Sequence, residues 1–303
     1  MFREVKVSIS AALVKELRDK TNAPMMDCKK ALIESDGDMN KAMDYLRQKG
    51  LATARKRAGR ATSEGQIISY IEADGKLGVL LELNCETDFA ANTDAFKGLG
   101  QGLAQQVAAA NTGSDDLLPQ SYVNDRNITV QDLVNETVAK VGESISIGRS
   151  ARFQVGEKAP EGQIISYIHA GGKLGVMLEL NCTSPGTCSN DAFKELGKNL
   201  AMQIAAANPG FVCRDEVTAD VLDRERAIYL AQAIDSGKPE KVAEKMVDGK
   251  MKKFYSEFCL LEQPFIKDGD VSVQDLVKQL AAKLGENITV ARFARFQVGE
   301  SVA

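Results

Sequence analysis

The chain lacks tryptophan, has a single histidine, and contains no apolar run of the roughly 18 residues that a membrane-spanning helix needs. Its first ten residues also lack the apolar centre of a secretion signal, so we expect it to stay in the cytoplasm and away from membranes. A net charge of −4 and an isoelectric point near 5.4 argue against direct binding of nucleic acid through a globally basic surface.

Patterns typical of catalysis and metal binding are also missing. There is no glycine-rich phosphate loop and no nucleophile elbow, and none of the six cysteines forms a Cys-x-x-Cys pair. We therefore expect no cofactor, no metal and no enzymatic activity. In a reducing cytoplasm the cysteines are expected to be buried thiols. A thiol enzyme that uses Cys188 or Cys213 is one alternative that the sequence leaves open.

What the sequence does contain is an internal duplication. Residues 64–85 match residues 161–182 at 19 of 22 positions, with an offset of 97. Residues 130–157 match residues 273–300 with an offset of 143. The order A-B-A′-B′ predicts two related subdomains in tandem, which we call the first copy and the second copy.

Each A unit has the pattern of a β-hairpin followed by a helix, because two β-branched apolar runs flank a turn such as Ala73-Asp74-Gly75. Each B unit predicts a helix and then a short strand. These elements favour a small antiparallel sheet that is covered on one face by helices. The predicted fold class is therefore α+β, with two such core subdomains.

The two offsets differ by 46, which places an insertion between about residues 211 and 263. Apolar residues recur there at helical spacing on both sides of Gly237-Lys238-Pro239, a pattern that predicts a helical hairpin. We interpret the hairpin either as a packed helical arm or as a protruding coiled coil that is used for association.

The first fifty residues predict three short helices, and the last of them is expected to end at Gly50. Three such helices bury little area, so this unit should be marginally stable unless it docks on something. The basic run RKRAGR at residues 55–60 is interpreted as a solvated linker, with phosphate contact as the alternative.

The two copies diverge most just after Cys85. The first copy reads ETDFAAN at residues 86–92, whereas the second reads TSPGTCS at residues 183–189, which predicts a plain loop. One interpretation of the first segment is that Asp88 caps the next helix while Phe89 packs on the core as a hydrophobic staple. The alternative is that these two side chains serve a partner.

Three segments of the chain have distinctive sequences, namely LVKELRDKT…MMDCKKAL (13–32), NCETDFAA (84–91) and SGKPEKVAEKMVDGKMKKF…QPF (236–265). Together they resemble the family of bacterial translation elongation factor Ts, the nucleotide-exchange factor for elongation factor Tu. The resemblance covers nearly the whole chain. It implies a three-helix domain like the ubiquitin-associated (UBA) domain, two related α+β core subdomains and an inserted coiled-coil hairpin.

By this resemblance, Thr87, Asp88 and Phe89 would form a wedge that enters the GTPase and releases its nucleotide. Two positions depart from the family pattern. Ala90 replaces the usual valine, which we interpret as a loss of apolar bulk beside the wedge, and Pro24 replaces the usual glycine and stiffens its turn. The residues expected to dock on elongation factor Tu are Arg18, Met25, Met26 and His169.

The function that the resemblance implies is guanine nucleotide exchange on elongation factor Tu. The chain would promote GDP release during translation elongation by disturbing the site that holds Mg²⁺ and the phosphates, and the hairpin would be a candidate surface for a homodimer. The alternative is a non-enzymatic tandem-repeat scaffold with a UBA-like domain that binds peptides. That alternative explains the architecture but gives no reason for the asymmetric Asp88-Phe89 segment.

The duplication and the insertion predict the following domain organisation. Residues 1–55 form the UBA-like three-helix domain with its basic linker, and residues 56–158 form core subdomain 1. Residues 159–211 and 259–303 together form core subdomain 2, and residues 212–258 form the inserted helical hairpin.

Overall fold

The structure is a computed structural model that describes residues 9–21, 23–57, 59–110, 116–156, 160–237 and 239–300. It combines helices with small antiparallel sheets, so the predicted α+β class is confirmed. The chain divides into two compact units. The first is Met1–Ile68, Leu81–Ser150 and Gln297–Ala303, and the second is Ser69–Leu80 and Ala151–Phe296.

The domain boundaries derived from the sequence stay predictions. The boundary between residues 158 and 159 lies outside the described residues.

The helices of the described chain are α1 (Ala11–Thr21), α2 (Met25–Glu34), α3 (Met39–Arg57), α4 (Asp88–Ala91), α5 (Asp94–Ala110), α6 (Val130–Val141), α7 (Pro185–Cys188), α8 (Asp191–Ala207), α9 (Ala219–Asp235), α10 (Glu240–Phe258) and α11 (Val273–Leu284). The strands are β1 (Glu64–Ile71), β2 (Leu77–Cys85), β3 (Ser121–Tyr122), β4 (Asp125–Thr129), β5 (Ile145–Gln154), β6 (Glu161–Ile168), β7 (Leu174–Cys182), β8 (Pro264–Phe265), β9 (Asp268–Ser272) and β10 (Thr289–Gln297). None of these described helices is long and apolar enough to cross a membrane.

The sheets of the two copies have the same strand order. The first copy arranges its strands as β1-β2-β5 and the second as β10-β7-β6, so in both the second strand of the A hairpin lies between its partner and the strand of the B unit. Strands β6 and β7 pair in antiparallel fashion from Glu161 opposite Cys182 to Ile168 opposite Gly175. The predicted hairpin of this A unit is therefore confirmed.

Two small hairpins, β3–β4 and β8–β9, precede α6 and α11 and were not predicted from the sequence. Their first strands are only two residues long and their registers are irregular, so they carry no alternating pattern that could reveal them.

The core of the second copy lies between its sheet and the helices α8 and α11. Residues Val176, Leu178 and Leu180 alternate along β7 and are fully buried on the face that meets α8. Helix α8 contributes apolar residues at helical spacing to this core, such as Phe193 and Leu200.

A buried ion pair occurs at the same position of each sheet. Glu82 Oε2 accepts a hydrogen bond from Arg149 Nε at 2.8 Å, and Glu179 Oε2 accepts one from Arg292 Nε at 2.7 Å. A carboxylate buried in a sheet needs such a partner, because desolvation of an unpaired charge is costly. The duplication is therefore seen in the buried ion pairs of the two sheets as well as in the sequence.

The N-terminal helices α1, α2 and α3 share a small core that includes Leu17, Cys28 and Leu32. The prediction that the third helix ends at Gly50 is wrong, since α3 continues to Arg57. Gly50 packs on α6, where a Cβ atom would lie 3.4 Å from the Cβ of Ala139. The glycine therefore serves close packing between two helices rather than helix termination.

The inserted segment forms two helices, α9 and α10, that pack on each other as predicted for a helical hairpin. Their shared core includes Tyr229, Val247 and Phe254. Between the two helices, Lys250 Nζ donates a hydrogen bond of 2.7 Å to Gln232 Oε1. Lys238, which belongs to the predicted turn, lies outside the described residues.

Helix α6 begins with a capping box that also fixes α3. The Thr129 hydroxyl accepts the Asp132 amide, and Asp132 Oδ2 accepts the Thr129 amide and lies 3.0 Å from the Arg47 guanidinium. Hydrogen bonds from the Thr129 amide, the Thr129 hydroxyl and Arg47 lower the pKa of the Asp132 carboxyl.

A capping variant tests this electrostatic arrangement. A lowered native pKa stabilises the fold above the ordinary aspartate pKa, and that stabilisation is lost as the pH falls through the native value. Asp132→Asn should lower the free energy of unfolding by about 1 kcal/mol near neutral pH, and the difference from the parent should shrink towards about pH 3. Urea denaturation over this pH range measures both quantities.

The matched control is Asp275→Asn, which removes the equivalent carboxylate from the cap that Ser272 makes for α11. A difference between Asp132→Asn and the parent that stayed constant with pH would show that the charge of Asp132 does not stabilise the fold.

Candidate functional site

After the second strand of each A hairpin, the chain makes one short helical turn before the long helix begins. This turn is α4 in the first copy and α7 in the second. The N-cap residues Thr87 and Ser184 have similar backbone angles, with φ of −133° and −130° and ψ of 158° and 147°. The prediction of a plain loop at residues 183–189 is wrong, because Pro185 opens a helical turn there.

In both turns, the two residues nearest the long helix are buried. Ala90 and Ala91 are buried in the first copy, as are Thr187 and Cys188 in the second. Ala90 is buried whereas Phe89 is exposed, and the interpretation that Ala90 removes apolar bulk beside Phe89 stays a prediction.

The outward positions of the two turns differ sharply. The Phe89 side chain is 84% exposed, whereas the equivalent residue of the second copy is Gly186, at which an added Cβ would meet no atom within 4 Å. A single exposed apolar residue can be incidental. Here the second copy builds the same turn without any side chain at this position, so the scaffold does not need Phe89.

The staple interpretation is wrong for both residues. Thr87, not Asp88, caps α4, since its Oγ1 accepts the Ala90 amide at 3.3 Å. Asp88 is exposed beside Phe89. The nearby aromatic residue that is buried is Phe96, which lies in the following helix, α5. An acid and an aromatic ring therefore project together from a helical turn that needs neither of them.

A carboxylate from the B unit holds each turn in place. Glu143 accepts two hydrogen bonds from Thr87, from its amide at 2.9 Å and from its hydroxyl at 2.7 Å. In the second copy the Ser184 hydroxyl donates to Glu286 at 2.7 Å. Hydrogen bonds from Ser184 and Thr183 lower the pKa of the Glu286 carboxyl.

Glu86 adds a charge and two ion pairs that the uncharged residue at the equivalent position of the second copy cannot make. Its carboxylate accepts the Ser144 amide at 2.8 Å and pairs with Arg57 at 2.9 Å and with Arg60 at 3.2 Å. The Ser144 amide, followed by the two arginines, lowers the pKa of the Glu86 carboxyl. The equivalent residue, Thr183, carries no charge and accepts a backbone amide. The interpretation of residues 55–60 as a solvated linker is therefore wrong for Arg57, which ends α3 and is mostly buried, whereas Arg60 pairs with Glu86 but is 54% exposed.

The cysteines differ from the expectation that all are thiols, because Cys182 and Cys188 form a disulfide. Burial raises the pKa of the thiols of Cys85 and Cys259 to about 11, which makes both of them poor nucleophiles. Cys213 is a partly exposed free thiol. Within the described ranges no group of three or more His, Cys, Asp or Glu residues could hold a metal ion.

The N-terminal helices carry other exposed apolar side chains, which include the predicted docking residues Met25 and Met26. Met25 and Met26 open α2 and are 52% and 71% exposed, and Arg18 is exposed on α1. Pro24 precedes α2 with a φ of −54°, which its ring favours. Ile33 is also exposed on α2, and its spacing of seven from Met26 is the signal that sequence reasoning missed.

His169 lies in the exposed turn between β6 and β7, as the hairpin pattern predicted, with its Nδ1 2.9 Å from the Tyr167 hydroxyl oxygen. It belongs to the second compact unit, whereas Arg18, Met25, Met26 and the segment 87–89 belong to the first.

Comparisons with known proteins agree with one another. A sequence model of the family described as Elongation factor TS matches residues 86–300. The chain is 46% identical over 297 residues to Elongation factor Ts of Trichlorobacter lovleyi, covering 98% of this chain and 94% of the relative. It is 45% identical over 295 residues to Elongation factor Ts of Nostoc sp., covering 97% and 93%. It is also 46% identical over 297 residues to Elongation factor Ts of Nitratidesulfovibrio vulgaris, covering 98% of each chain.

Two phenylalanine variants test the exposed position of Phe89. Phe89→Ala should change the free energy of unfolding by no more than about 0.5 kcal/mol, as exposed substitutions do. Phe96→Ala should cost about 3–5 kcal/mol, because Phe96 is fully buried and its removal leaves a cavity. Urea denaturation of both variants measures the difference, and equal losses would mean that Phe89 belongs to the core.

Proposed function

Because the chain belongs to the elongation factor Ts family, we propose that it binds elongation factor Tu and promotes GDP release as a guanine nucleotide exchange factor in translation elongation. The observation that carries this proposal is the exposed Phe89, which projects with Asp88 from a turn that the second copy builds without either residue. In this role the protein makes and breaks no covalent bond and acts in the cytoplasm.

The physical basis of exchange is thermodynamic linkage. A protein that binds the nucleotide-free GTPase more tightly than the loaded one must weaken nucleotide binding by the same factor. An exchange factor therefore needs contacts that only the nucleotide-free conformation can make, and an aromatic side chain projecting from a rigid turn is suited to make one.

Phe89 is the proposed wedge. In free protein its ring is in water, so insertion between partner helices would gain roughly 1.5–3 kcal/mol from burial. If those helices carry the loops that bind Mg²⁺ and phosphate, the free energy of insertion displaces the ligands of the ion. Mg²⁺ is a major charge at a phosphate site, so its loss weakens binding of GDP. Asp88, exposed beside the ring, supplies a hydrogen-bond acceptor and a negative charge at the same place. Thr87 is the third proposed member, because it caps the turn.

The N-terminal helices are the proposed docking element. Three helices with a shared small core, and the exposed Met25 and Met26 at the start of α2, agree with a UBA-like domain that grips a groove of the nucleotide-binding domain. Methionine side chains are flexible and polarizable, which suits them to such a groove. Arg18 would add a charge from α1, and His169 would add a contact from the second copy.

The helical hairpin α9–α10 is proposed to be the family's coiled coil, with its apolar seam between the two helices and charged residues outside. It is the candidate surface for a homodimer. The net charge of −4 supports a protein partner rather than nucleic acid. A passive scaffold remains the alternative, but no observation favours it, because it gives no role to Phe89.

A loop exchange tests the proposed function. We would replace residues 86–92 by Thr-Ser-Pro-Gly-Thr-Ala-Ser, the sequence of residues 183–189 with alanine in place of Cys188 so that no cysteine pair forms with Cys85. The fold should survive, because α7 shows that this sequence adopts the same turn. Release of labelled GDP from elongation factor Tu should be accelerated by the parent and proceed at the spontaneous rate with the chimera.

Two single substitutions complete the experiment. Phe89→Ala should lose at least about 2 kcal/mol of binding or exchange, as expected for an interface anchor. Gly186→Ala, at the equivalent open position of the second copy, should leave exchange unchanged. A folded and fully active chimera would show that residues 86–92 are not the wedge, and a parent that leaves GDP release at the spontaneous rate would refute the exchange function itself.

A further inference from the structure

The carboxylate of Glu86 lies where the N-terminal helices meet the turn that carries Phe89. It directly precedes the N-cap Thr87 and contacts Arg57, the last residue of α3. The inference drawn from this contact rests on the proposed function, because it concerns how the wedge is held.

A turn as short as α4 cannot fix its own direction. Its four residues form too few helical hydrogen bonds to repay the entropy of ordering them, so flanking contacts must hold it. On one side Ala90 and Ala91 are buried, and on the other the capping residue Thr87 is bound by Glu143.

Comparison with the second copy distinguishes the contacts that both turns make from the contacts that only the first copy makes. The contact of Thr87 with Glu143 has its equivalent in Ser184 and Glu286, so it belongs to the common scaffold. Glu86 replaces the uncharged Thr183, and its ion pairs with Arg57 and Arg60 have no counterpart in that scaffold, since both arginines precede the duplicated region. The extra anchor is found on the copy that exposes the aromatic ring.

The arginines are themselves held in place. Helix α3 is fixed on α6 by the close packing of Gly50 on Ala139 and by the pair formed by Arg47 and Asp132. The Arg60 amide bonds to the Arg57 carbonyl oxygen at 3.1 Å, which keeps the second arginine beside the first. The side chains of Arg57 and Glu86 are 27% and 20% exposed, so this pair is screened less than a surface pair, whereas Arg60 is 54% exposed and its pair is more open to water.

We propose that Glu86 is a positioning residue, which with Arg57 and Arg60 couples the N-terminal helices to the Phe89 turn and holds the ring in the direction needed for exchange. The N-terminal helices then do more than dock on the partner: they also orient the wedge. Fixing the ring before binding raises the rate at which the bound complex releases nucleotide, because less ordering is left for that step.

The first test separates the rate of exchange from affinity. Glu86→Gln keeps an oxygen for the Ser144 amide and removes the charge on which both arginines act. The GDP release rate at saturating protein should fall about tenfold, within the range produced by misplacing an acting group by an ångström or less. The concentration that gives half of the maximal rate should change less than twofold. The Arg57→Gln/Arg60→Gln variant should match this result, and adding Glu86→Gln to it should cause no further loss.

The second test needs no partner. The natural chain has no tryptophan, so Phe89→Trp introduces a single fluorophore at the tip of the turn. In this background Glu86→Gln should lower the steady-state anisotropy of the indole in the free protein, because a turn that is less well held moves more. Thr183→Ala, which removes the hydroxyl at the equivalent position of the second copy, should alter neither anisotropy nor exchange.

The outcomes are distinct. Unchanged anisotropy in Glu86→Gln would overturn the positioning role, and so would a loss confined to affinity, which would place Glu86 or its arginines in direct contact with the partner. If the parent fails to accelerate GDP release, the exchange function fails, while the anisotropy still decides whether Glu86 holds the turn. Lower anisotropy with a reduced maximal rate would support the proposal.

Discussion

The feature on which the site depends is a carboxylate that holds a one-turn helix by its cap. Glu143 binds both the amide and the hydroxyl of Thr87, and this contact fixes a turn that is too short to be stable alone. With its inner half buried and its cap held, the turn has only one free face. Phe89 lies on that face and remains in water. The exposed aromatic ring is therefore not needed for the stability of the turn, which comes from the buried residues and from the contact at the cap.

The duplication gives the protein an internal reference for this argument. The two copies share a strand order, a buried Glu–Arg pair and a short helical turn held by a carboxylate. What one copy has and the other lacks is therefore not required for folding. By that criterion Phe89, Asp88 and the charge of Glu86 are the proposed functional residues, while Thr87 also belongs to the scaffold, because the Ser184 hydroxyl likewise donates to a glutamate of the B unit.

Much of the architecture could be predicted because it is written in local patterns. Alternating apolar residues and a turn signal predicted the hairpin β6–β7, and helical spacing predicted α9 and α10. The direction of Phe89 could not be predicted, because it depends on Glu143, which is 56 residues away from Thr87 in sequence. The extension of α3 past Gly50 was missed for a similar reason, since this glycine packs against Ala139, which lies on another helix and is distant in sequence. The disulfide of Cys182 and Cys188 requires the turn α7, which the sequence pattern did not indicate.

The central claim is that the exposed turn of the first copy contacts elongation factor Tu and its counterpart in the second copy does not. Site-specific photo-crosslinking tests it most directly. A benzophenone amino acid would be placed at residue 89 in one variant and at residue 186 in another, two outward positions on turns with similar backbones. The account predicts a crosslink to the nucleotide-binding domain of the GTPase from residue 89 and none from residue 186. Equal crosslinking from both positions, or crosslinking from residue 186 alone, would contradict it.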